Sequence, residues 1–206
     1  MAQHPILDER AALCTLMADL GPDAPTWSGD WTTRDLAAHL LVRETRPDAG
    51  PGLLVGGALA RHTERVRGRC MQDNDYDQLA ARLRTGPTWR WPGALAPSLD
   101  VHEWFVHHED VRRPNGGTER DLGPLQPLVW KSLAMWGKRL TKGLPVGVVL
   151  RTPNGDELVA NTGDRTVTLT ATPGELMLRV FGRPVDVTIT GDDDAVATFN
   201  ASDLGL

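Results

Sequence analysis

The sequence predicts an α+β protein in which a helical bundle domain, residues 1–143, precedes a small α+β domain, residues 144–206. Two observations support this division. In the first two thirds of the chain, apolar residues recur at the spacing of an amphipathic helix. From Val146 onward, short β-branched runs separated by glycine-containing turns take their place. The chain has 206 residues, 40% hydrophobic and 24% charged, a composition typical of a folded globular protein.

The boundaries of the helices follow from a few residues. Gly21-Pro22 ends the first helix, and Pro47 ends the second. The stretch Thr32-Thr33-Arg34-Asp35 is typical of a helix start, because a threonine oxygen can accept the free N–H groups of the first turn. Ser98 is expected to cap a later helix, after a loop over 86–97. The expected helices cover residues 6–20, 33–46, 52–70, 76–83, 99–113 and 125–140.

The C-terminal part reads as strands around one helix. Asn154-Gly155 between two β-branched runs is a strong indication of a β-hairpin. The expected strands cover residues 146–150, 157–161, 166–170 and 185–190, with a helix over 173–181.

Composition and charge narrow the function classes. The 22 basic and 27 acidic residues give a net charge of −5, and no basic tract is present, so we expect no nucleic-acid partner. Asp8 and Glu9 do not fit a signal peptide. The longest apolar stretch, Gly52 to Ala60, is far shorter than the ~20 residues of a membrane span. We therefore expect a cytoplasmic protein without a membrane partner.

The two cysteines are not expected to act in catalysis. Cys14 and Cys70 cannot form a disulfide framework or a thiolate zinc site alone. Cys14 lies among apolar residues and reads as a small buried hydrophobe. Cys70 closes a basic helix, where Arg67 and Arg69 could activate its thiol incidentally.

The densest polar cluster, Asp100 to Asp110, carries a candidate metal site. On a helical wheel, His107 falls about 40° from Glu103 and Asp110 about 20° from it on the other side. Trp104 and Phe105 lie on a separate, apolar face. A carboxylate and an imidazole one turn apart can reach the same point, which is what a bound metal needs.

Simpler interpretations stay open for each residue of this helix. Glu–His pairs at this spacing are common as surface contacts. His102-Glu103 followed by His107 resembles the HExxH zinc-protease motif with one residue too many. That residue puts the two histidines about 140° apart, so the protease reading is rejected. His108 falls on the apolar face and reads as a core histidine with a local hydrogen bond.

A site with two ligands on one helix needs a third ligand elsewhere. Among the remaining histidines, His39 is the best candidate because Leu36 and Leu40 place it at the edge of the core. The residues alone leave two interpretations of His39 open, a semi-buried histidine satisfied by a hydrogen bond and a metal ligand.

Two motifs resemble the mycothiol-dependent maleylpyruvate isomerase family, which belongs to the DinB-like metal-binding proteins. They are Trp31-Thr-Thr-Arg-Asp-Leu-Ala-Ala-His39-Leu and Glu103-Trp-Phe-Val-His107-His-Glu-Asp110. The stretch Pro173 to Arg183 resembles the second domain of the family, a small α+β unit related to sterol-carrier folds. The resemblance implies a DinB-like four-helix bundle followed by this domain. It also implies that His39, Glu103 and His107 hold a divalent metal, usually zinc.

The resemblance also implies a function. A metal held by two imidazoles and one carboxylate keeps an open position, at which a thiol would be deprotonated. We therefore expect an enzyme that uses mycothiol, a low-molecular-weight thiol, for S-transfer to a small-molecule electrophile or for its isomerisation. The alternatives are a non-catalytic divalent-metal-binding protein and a metal-dependent hydrolase. The expected oligomeric state is a monomer or weak dimer.

Three further residues receive roles. Arg183 is the candidate catalytic residue that would hold a substrate carboxylate bidentately, although a surface arginine at a helix end fits the pattern equally well. Arg43 shares the helix face of His39 and is a weaker substrate-binding candidate. Asp110 is expected to orient His107 rather than to bind the metal itself.

Overall fold

The computed structural model describes residues 4–46, 58–86 and 101–204, with the side chains of 58–60 left aside. The described residues form two compact units. The first consists of 4–46, 58–86 and 103–118, and the second of 101–102 and 119–204.

The first unit is helical. Helix α2 packs against α3 and α4, and α1 packs against α4. The core between them consists of fully buried aliphatic and aromatic side chains such as Leu13, Leu36, Leu79 and Phe105. The helices are α1 (Pro5–Leu20), α2 (Thr33–Thr45), α3 (Ala58–Asp73), α4 (Tyr76–Thr85) and α5 (Val101–Arg112), the last with its first two residues in the second unit.

The start of α2 shows how local sequence fixes an element that carries a site residue. Thr32 and Asp35 form a capping box at the expected start of this helix. The Asp35 carboxylate accepts from the Thr32 backbone N at 3.2 Å and from its hydroxyl at 2.9 Å. The other Asp35 oxygen lies 2.6 Å from Nη1 of Arg67 on α3. The cap therefore also ties α2 to α3.

The second unit is a four-stranded sheet with helices packed against it. The strand order is β2-β1-β3-β4, with β1 and β3 parallel and the two outer pairs antiparallel. Helix α6 packs against α7 and β2, and α8 contacts β3. Its elements are α6 (Gln126–Leu140), β1 (Gly147–Arg151), β2 (Glu157–Asn161), β3 (Thr166–Thr170), α7 (Pro173–Val180), β4 (Thr188–Thr190) and α8 (Asp193–Asn200).

The α+β class and most elements are confirmed. The hairpin at Asn154-Gly155 joins β1 and β2, and Gly155 has a φ of +92°, which favours glycine. The strand expected over 185–190 is shorter and covers only Thr188–Thr190. Helix α8 was not expected, although Asp192 caps it by accepting from the Ala195 backbone N at 2.8 Å.

The grouping of α6 differs from the expected bundle. The helix over 125–140 is expected in the first domain, whereas α6 packs with α7 and β2 in the second unit. Periodicity reports which face of a helix is apolar but not which partner covers that face. The domain boundary at 143/144 stays a prediction. The expected helix start at 52, the loop over 87–97 and the cap at Ser98 lie outside the described residues.

Within the described ranges, no helix combines the length and the apolar character that crossing a bilayer demands.

We predict that Asp35→Asn lowers the free energy of unfolding by about 1 kcal/mol at neutral pH, because it weakens the cap and the ion pair with Arg67. Burial acts to raise the pKa of Asp35, but hydrogen bonds from Arg67 and Thr32 outweigh it and hold that pKa below its usual value. The stabilisation that the Asp35 carboxylate contributes is therefore complete above the unfolded-state pKa of about 3.9. It is lost as pH falls through the folded-state pKa.

Urea unfolding across this acid range measures the effect. The difference in free energy of unfolding between wild type and Asp35→Asn should become smaller toward low pH. The variant Asp164→Asn, at an exposed position, is the control for loss of a charge. A gap that stays constant with pH would contradict the assignment.

A second prediction concerns the close approach of Gly147, the first residue of β1, and Gly163, which lies before β3. A Cβ atom on Gly163 would lie 2.5 Å from the backbone N of Gly147 and 3.0 Å from the carbonyl carbon of Val146. Gly163→Ala should therefore destabilise the protein by about 1–3 kcal/mol. Gly68→Ala on α3, where nothing lies within 4 Å, should instead be neutral or stabilising by up to about 1 kcal/mol. Thermal unfolding of both variants tests these two predictions. Equal melting temperatures of Gly163→Ala and Gly68→Ala would refute them.

Candidate metal centre

Helices α2 and α5 bring the three predicted ligands together. Glu103 Oε1 lies 3.3 Å from His39 Nε2 and 3.4 Å from His107 Nε2. The three potential ligand atoms lie within 4.8 Å of one another. His39 comes from the middle of α2, and Glu103 and His107 are one turn apart on α5. That these side chains bind a metal stays a prediction.

The spacing of these atoms fits a divalent metal. Ligand atoms about 2.1 Å from a tetrahedral zinc ion are about 3.4 Å from each other, close to both distances from Glu103 Oε1. Two imidazole nitrogens and one carboxylate oxygen form a donor set that catalytic zinc sites use, with a fourth position left open. The residues present therefore fit a zinc-type ion in chemistry, and the two separations from Glu103 Oε1 fit it as well.

Burial sets the electrostatics of the cluster. The side chains of His39, Glu103 and His107 are 9%, 11% and 13% exposed. Burial acts to raise the pKa of Glu103, but hydrogen bonds from His107 and His39 and the charge of Arg43 outweigh it and hold that pKa well below its usual value. Glu103 is therefore a carboxylate at neutral pH, as a metal ligand must be.

The two histidines differ in charge. For His39, burial is the largest effect and lowers its pKa, although the hydrogen bond to Glu103 partly opposes this. Burial also acts to lower the pKa of His107, but hydrogen bonds to Asp110 and Glu103 prevail and raise it to about 9. At neutral pH the metal-free cluster thus holds a neutral His39 and a proton on His107, which a metal would replace.

Asp110 contacts the second ring nitrogen of His107. Its Oδ2 lies 2.9 Å from His107 Nδ1, and the Asp110 side chain is fully buried. A carboxylate on one imidazole nitrogen fixes the ring orientation and leaves the other nitrogen available to a metal. The contact expected from the sequence is present, and its function in a metal site stays a prediction.

Arg43 lies beside the cluster, one turn after His39 on α2. Its Nε is 2.8 Å from Glu103 Oε1, and its side chain is 28% exposed. Arg43 shares the His39 face of α2 as expected, whereas its ion pair with Glu103 was not predicted. The guanidinium therefore supplies a positive charge next to the site, while its role in substrate binding stays a prediction.

Arg183 lies in the second unit, just after α7. Its Nη1 donates a hydrogen bond to the backbone carbonyl of Phe181 at 2.7 Å. This contact is of the kind that an arginine near a helix end makes. The catalytic role expected of Arg183 stays a prediction.

The other histidines of α5 have different neighbours. His102 packs against the rings of Trp136 and Phe181, at centroid distances of 4.2 and 5.9 Å, and is not part of the three-residue cluster. His108 is a core histidine as expected. Its hydrogen bond is not local, however, because His108 Nδ1 lies 2.7 Å from Oε1 of Glu9 on α1. The helical wheel gives the direction of His108 but not the residue it meets.

His39 has an aromatic neighbour that was not predicted from the sequence. The Trp31 ring packs on the His39 ring at 5.0 Å between centroids, and the Arg67 guanidinium lies over Trp31 at 4.6 Å. Trp31 belongs to the first resemblance motif, which could have indicated its position beside the site.

Neither cysteine has an activated thiol. Cys14 is buried and Cys70 half-buried, and neither forms a disulfide. Burial raises the pKa of both thiols. The expected activation of Cys70 by Arg67 and Arg69 is wrong, because the pKa of this thiol is raised rather than lowered. Arg67 is instead paired with Asp35 and Glu64.

Comparison with known proteins agrees with the fold. The sequence matches no protein-family model and no curated protein. The structure is similar to the crystal structure of the mycothiol-dependent maleylpyruvate isomerase, with a TM-score of 0.52 and 16% identity over 90% of this chain and 88% of that chain. A histidine-to-alanine variant of that enzyme aligns over the same shares with a TM-score of 0.54 and 16% identity. The fold implied by the two sequence motifs is thereby confirmed.

We predict that the purified protein binds about one divalent ion per chain and that His39→Ala, Glu103→Ala and His107→Ala each lower the occupancy, because each removes one of three donors. His102→Ala is the matched control, since it removes an imidazole from the same helix but not from the cluster. Elemental analysis of the desalted proteins measures the occupancy. Full occupancy in all three variants, or a large loss in the control, would contradict the site.

Proposed function

We propose that this protein is a metal-dependent enzyme that activates mycothiol, a low-molecular-weight thiol, for addition to a small electrophile. The observation that carries the proposal is the cluster of His39, Glu103 and His107, with donor spacing that suits a zinc-type ion. The similarity of fold to an enzyme named as mycothiol-dependent supports the choice of thiol.

A zinc-type ion bound to these side chains would offer one open position and lower the pKa of a thiol there below its free value of about 8.5. Zinc is the metal we propose, because it is a borderline-soft ion that accepts both imidazole and thiolate. The protein supplies the geometry. Asp110 fixes the His107 ring, and the low exposure of the three side chains keeps bulk water away from the reacting sulfur.

The nucleophile must come from solution. Both cysteines have thiols whose pKa is raised by burial, so neither is a ready thiolate at neutral pH. The cluster itself offers only carboxylate and imidazole groups. We therefore propose that an added thiol performs the attack.

The reaction follows from thiolate chemistry. The sulfur electron pair forms a bond to an electrophilic carbon of an activated double bond, and the π electrons move to the activating group. If that bond then rotates and the thiolate leaves with its electron pair, the double bond re-forms with changed geometry and the thiol is regenerated. If the carbon is protonated instead, the product keeps the sulfur. We propose these two outcomes, isomerisation and S-transfer, for this protein.

The arginines are proposed to bind the electrophile. Arg43 presents a partly exposed guanidinium beside Glu103 and would attract a negatively charged group near the reacting sulfur. Arg183 is proposed as a second contact to a substrate carboxylate, through bidentate hydrogen bonds.

A cobalt-substituted sample tests the thiol step. Adding mycothiol should produce an intense sulfur-to-cobalt charge-transfer band, which His107→Ala should lack because its ligand set is incomplete. The same samples are then screened for turnover of small electrophiles with and without mycothiol. The double variant Cys14→Ser/Cys70→Ser is the control and should keep both the band and the activity.

Each other outcome identifies an alternative. No band at saturating thiol, together with turnover by water alone, would establish the hydrolase. A bound metal with neither a band nor turnover of any electrophile would establish the non-catalytic metal-binding protein. Loss of activity in the folded double cysteine variant would indicate a protein thiol as nucleophile.

A further inference from the structure

We propose that Ser28 is a positioning residue of the candidate metal centre, acting on His107 through Asp110. The inference rests on the proposed metal site and adds a residue outside both sequence motifs of the ligands. Ser28 lies in the loop 21–32 between α1 and α2.

The contact chain is continuous. The Ser28 hydroxyl donates to Asp110 Oδ2 at 2.8 Å, and the same oxygen lies 2.9 Å from His107 Nδ1. The opposite ring nitrogen, His107 Nε2, is the one that faces Glu103 Oε1 at 3.4 Å. Movement of the Asp110 carboxylate would therefore rotate the imidazole whose other nitrogen belongs to the cluster.

Asp110 needs such a partner because its side chain is fully buried. A buried carboxylate is tolerated only where hydrogen bonds replace its lost hydration. The Ser28 hydroxyl supplies one of these bonds from outside α5. It fixes the direction of Asp110 independently of His107, so the carboxylate does not have to follow a moving ring.

The loop that carries Ser28 is itself well held. Pro25 and Thr32 form a β-bridge across it. The Thr26 hydroxyl donates to the Trp31 carbonyl at 2.7 Å and accepts from the Ser28 backbone N at 3.2 Å. The Trp27 backbone N donates to the Asp110 carbonyl at 2.9 Å. The backbone of Ser28 is thus held in place, so its hydroxyl can fix the position of the Asp110 carboxylate.

The same loop also reaches the second histidine of the cluster. Trp31 packs on the His39 ring at 5.0 Å between centroids. One short loop therefore contacts His39 directly and His107 through Asp110.

The test compares variants by metal affinity, measured with cobalt or zinc in competition with a chelator. Ser28→Ala should weaken affinity about ten-fold, the low end of what loss of an outer hydrogen-bond partner costs, and should shift the visible absorption of bound cobalt. Ser28→Thr keeps the hydroxyl and should restore most of the affinity. Ser202→Ala is the matched control, because it removes a hydroxyl that donates to a helix carbonyl at 2.8 Å in the second unit.

A double-variant cycle separates positioning from loop stability. If Ser28 acts through Asp110, Ser28→Ala should have little further effect on affinity in an Asp110→Asn background. If Asp110→Asn does not fold, the contrast between Ser28→Ala and Ser28→Thr in affinity and cobalt spectrum decides. An unchanged affinity and spectrum in Ser28→Ala, or full additivity in the cycle, would overturn the proposal. A wild-type protein that binds no metal would instead overturn the proposed function.

Discussion

The carboxylate of Glu103 is the group on which the site depends. Removing a carboxylate from water costs several kcal/mol unless other groups replace its hydration. Here one oxygen, Oε1, meets His39, His107 and the Arg43 guanidinium, all within 3.4 Å. These contacts hold α2 and α5 at one fixed approach. Two of the donor separations, both from Glu103 Oε1, are close to those around a tetrahedral ion.

Each histidine of the cluster is held by a further set of contacts. Asp110 holds His107 from one side and is itself held by the loop before α2. On the other side, Arg67 covers Trp31, which in turn covers His39. Asp35 receives the Arg67 guanidinium and also caps α2, the helix that carries His39. The start of α2 and the environment of its histidine are thus fixed by the same few contacts.

Helical periodicity made the α5 half of the site predictable. Angles on one helix are set by geometry, so Glu103, His107 and Asp110 could be placed on one stripe without a structure. His39 lies 64 residues away from Glu103. Its apolar neighbours made it the best remaining histidine, but only the resemblance favoured a metal ligand over a hydrogen-bonded histidine. The pairings of Arg43, Ser28 and Glu9 depend on how separate elements meet, which no local pattern encodes. The parallel pairing of β1 with β3 is a further case, since turn residues predict only the hairpin between β1 and β2.

Four consecutive polar residues of α5 point to four different sets of partners. His107 faces the cluster, His108 meets Glu9, Glu109 pairs with Arg112 and Arg113, and Asp110 meets Ser28. An inserted or deleted residue before this run would turn all four side chains by about 100°. These charged and polar side chains would then lose their partners together and face apolar neighbours. Length changes in this helix should therefore be far less tolerated than substitutions, so lineages that share the site should keep its spacing even after most other positions have diverged.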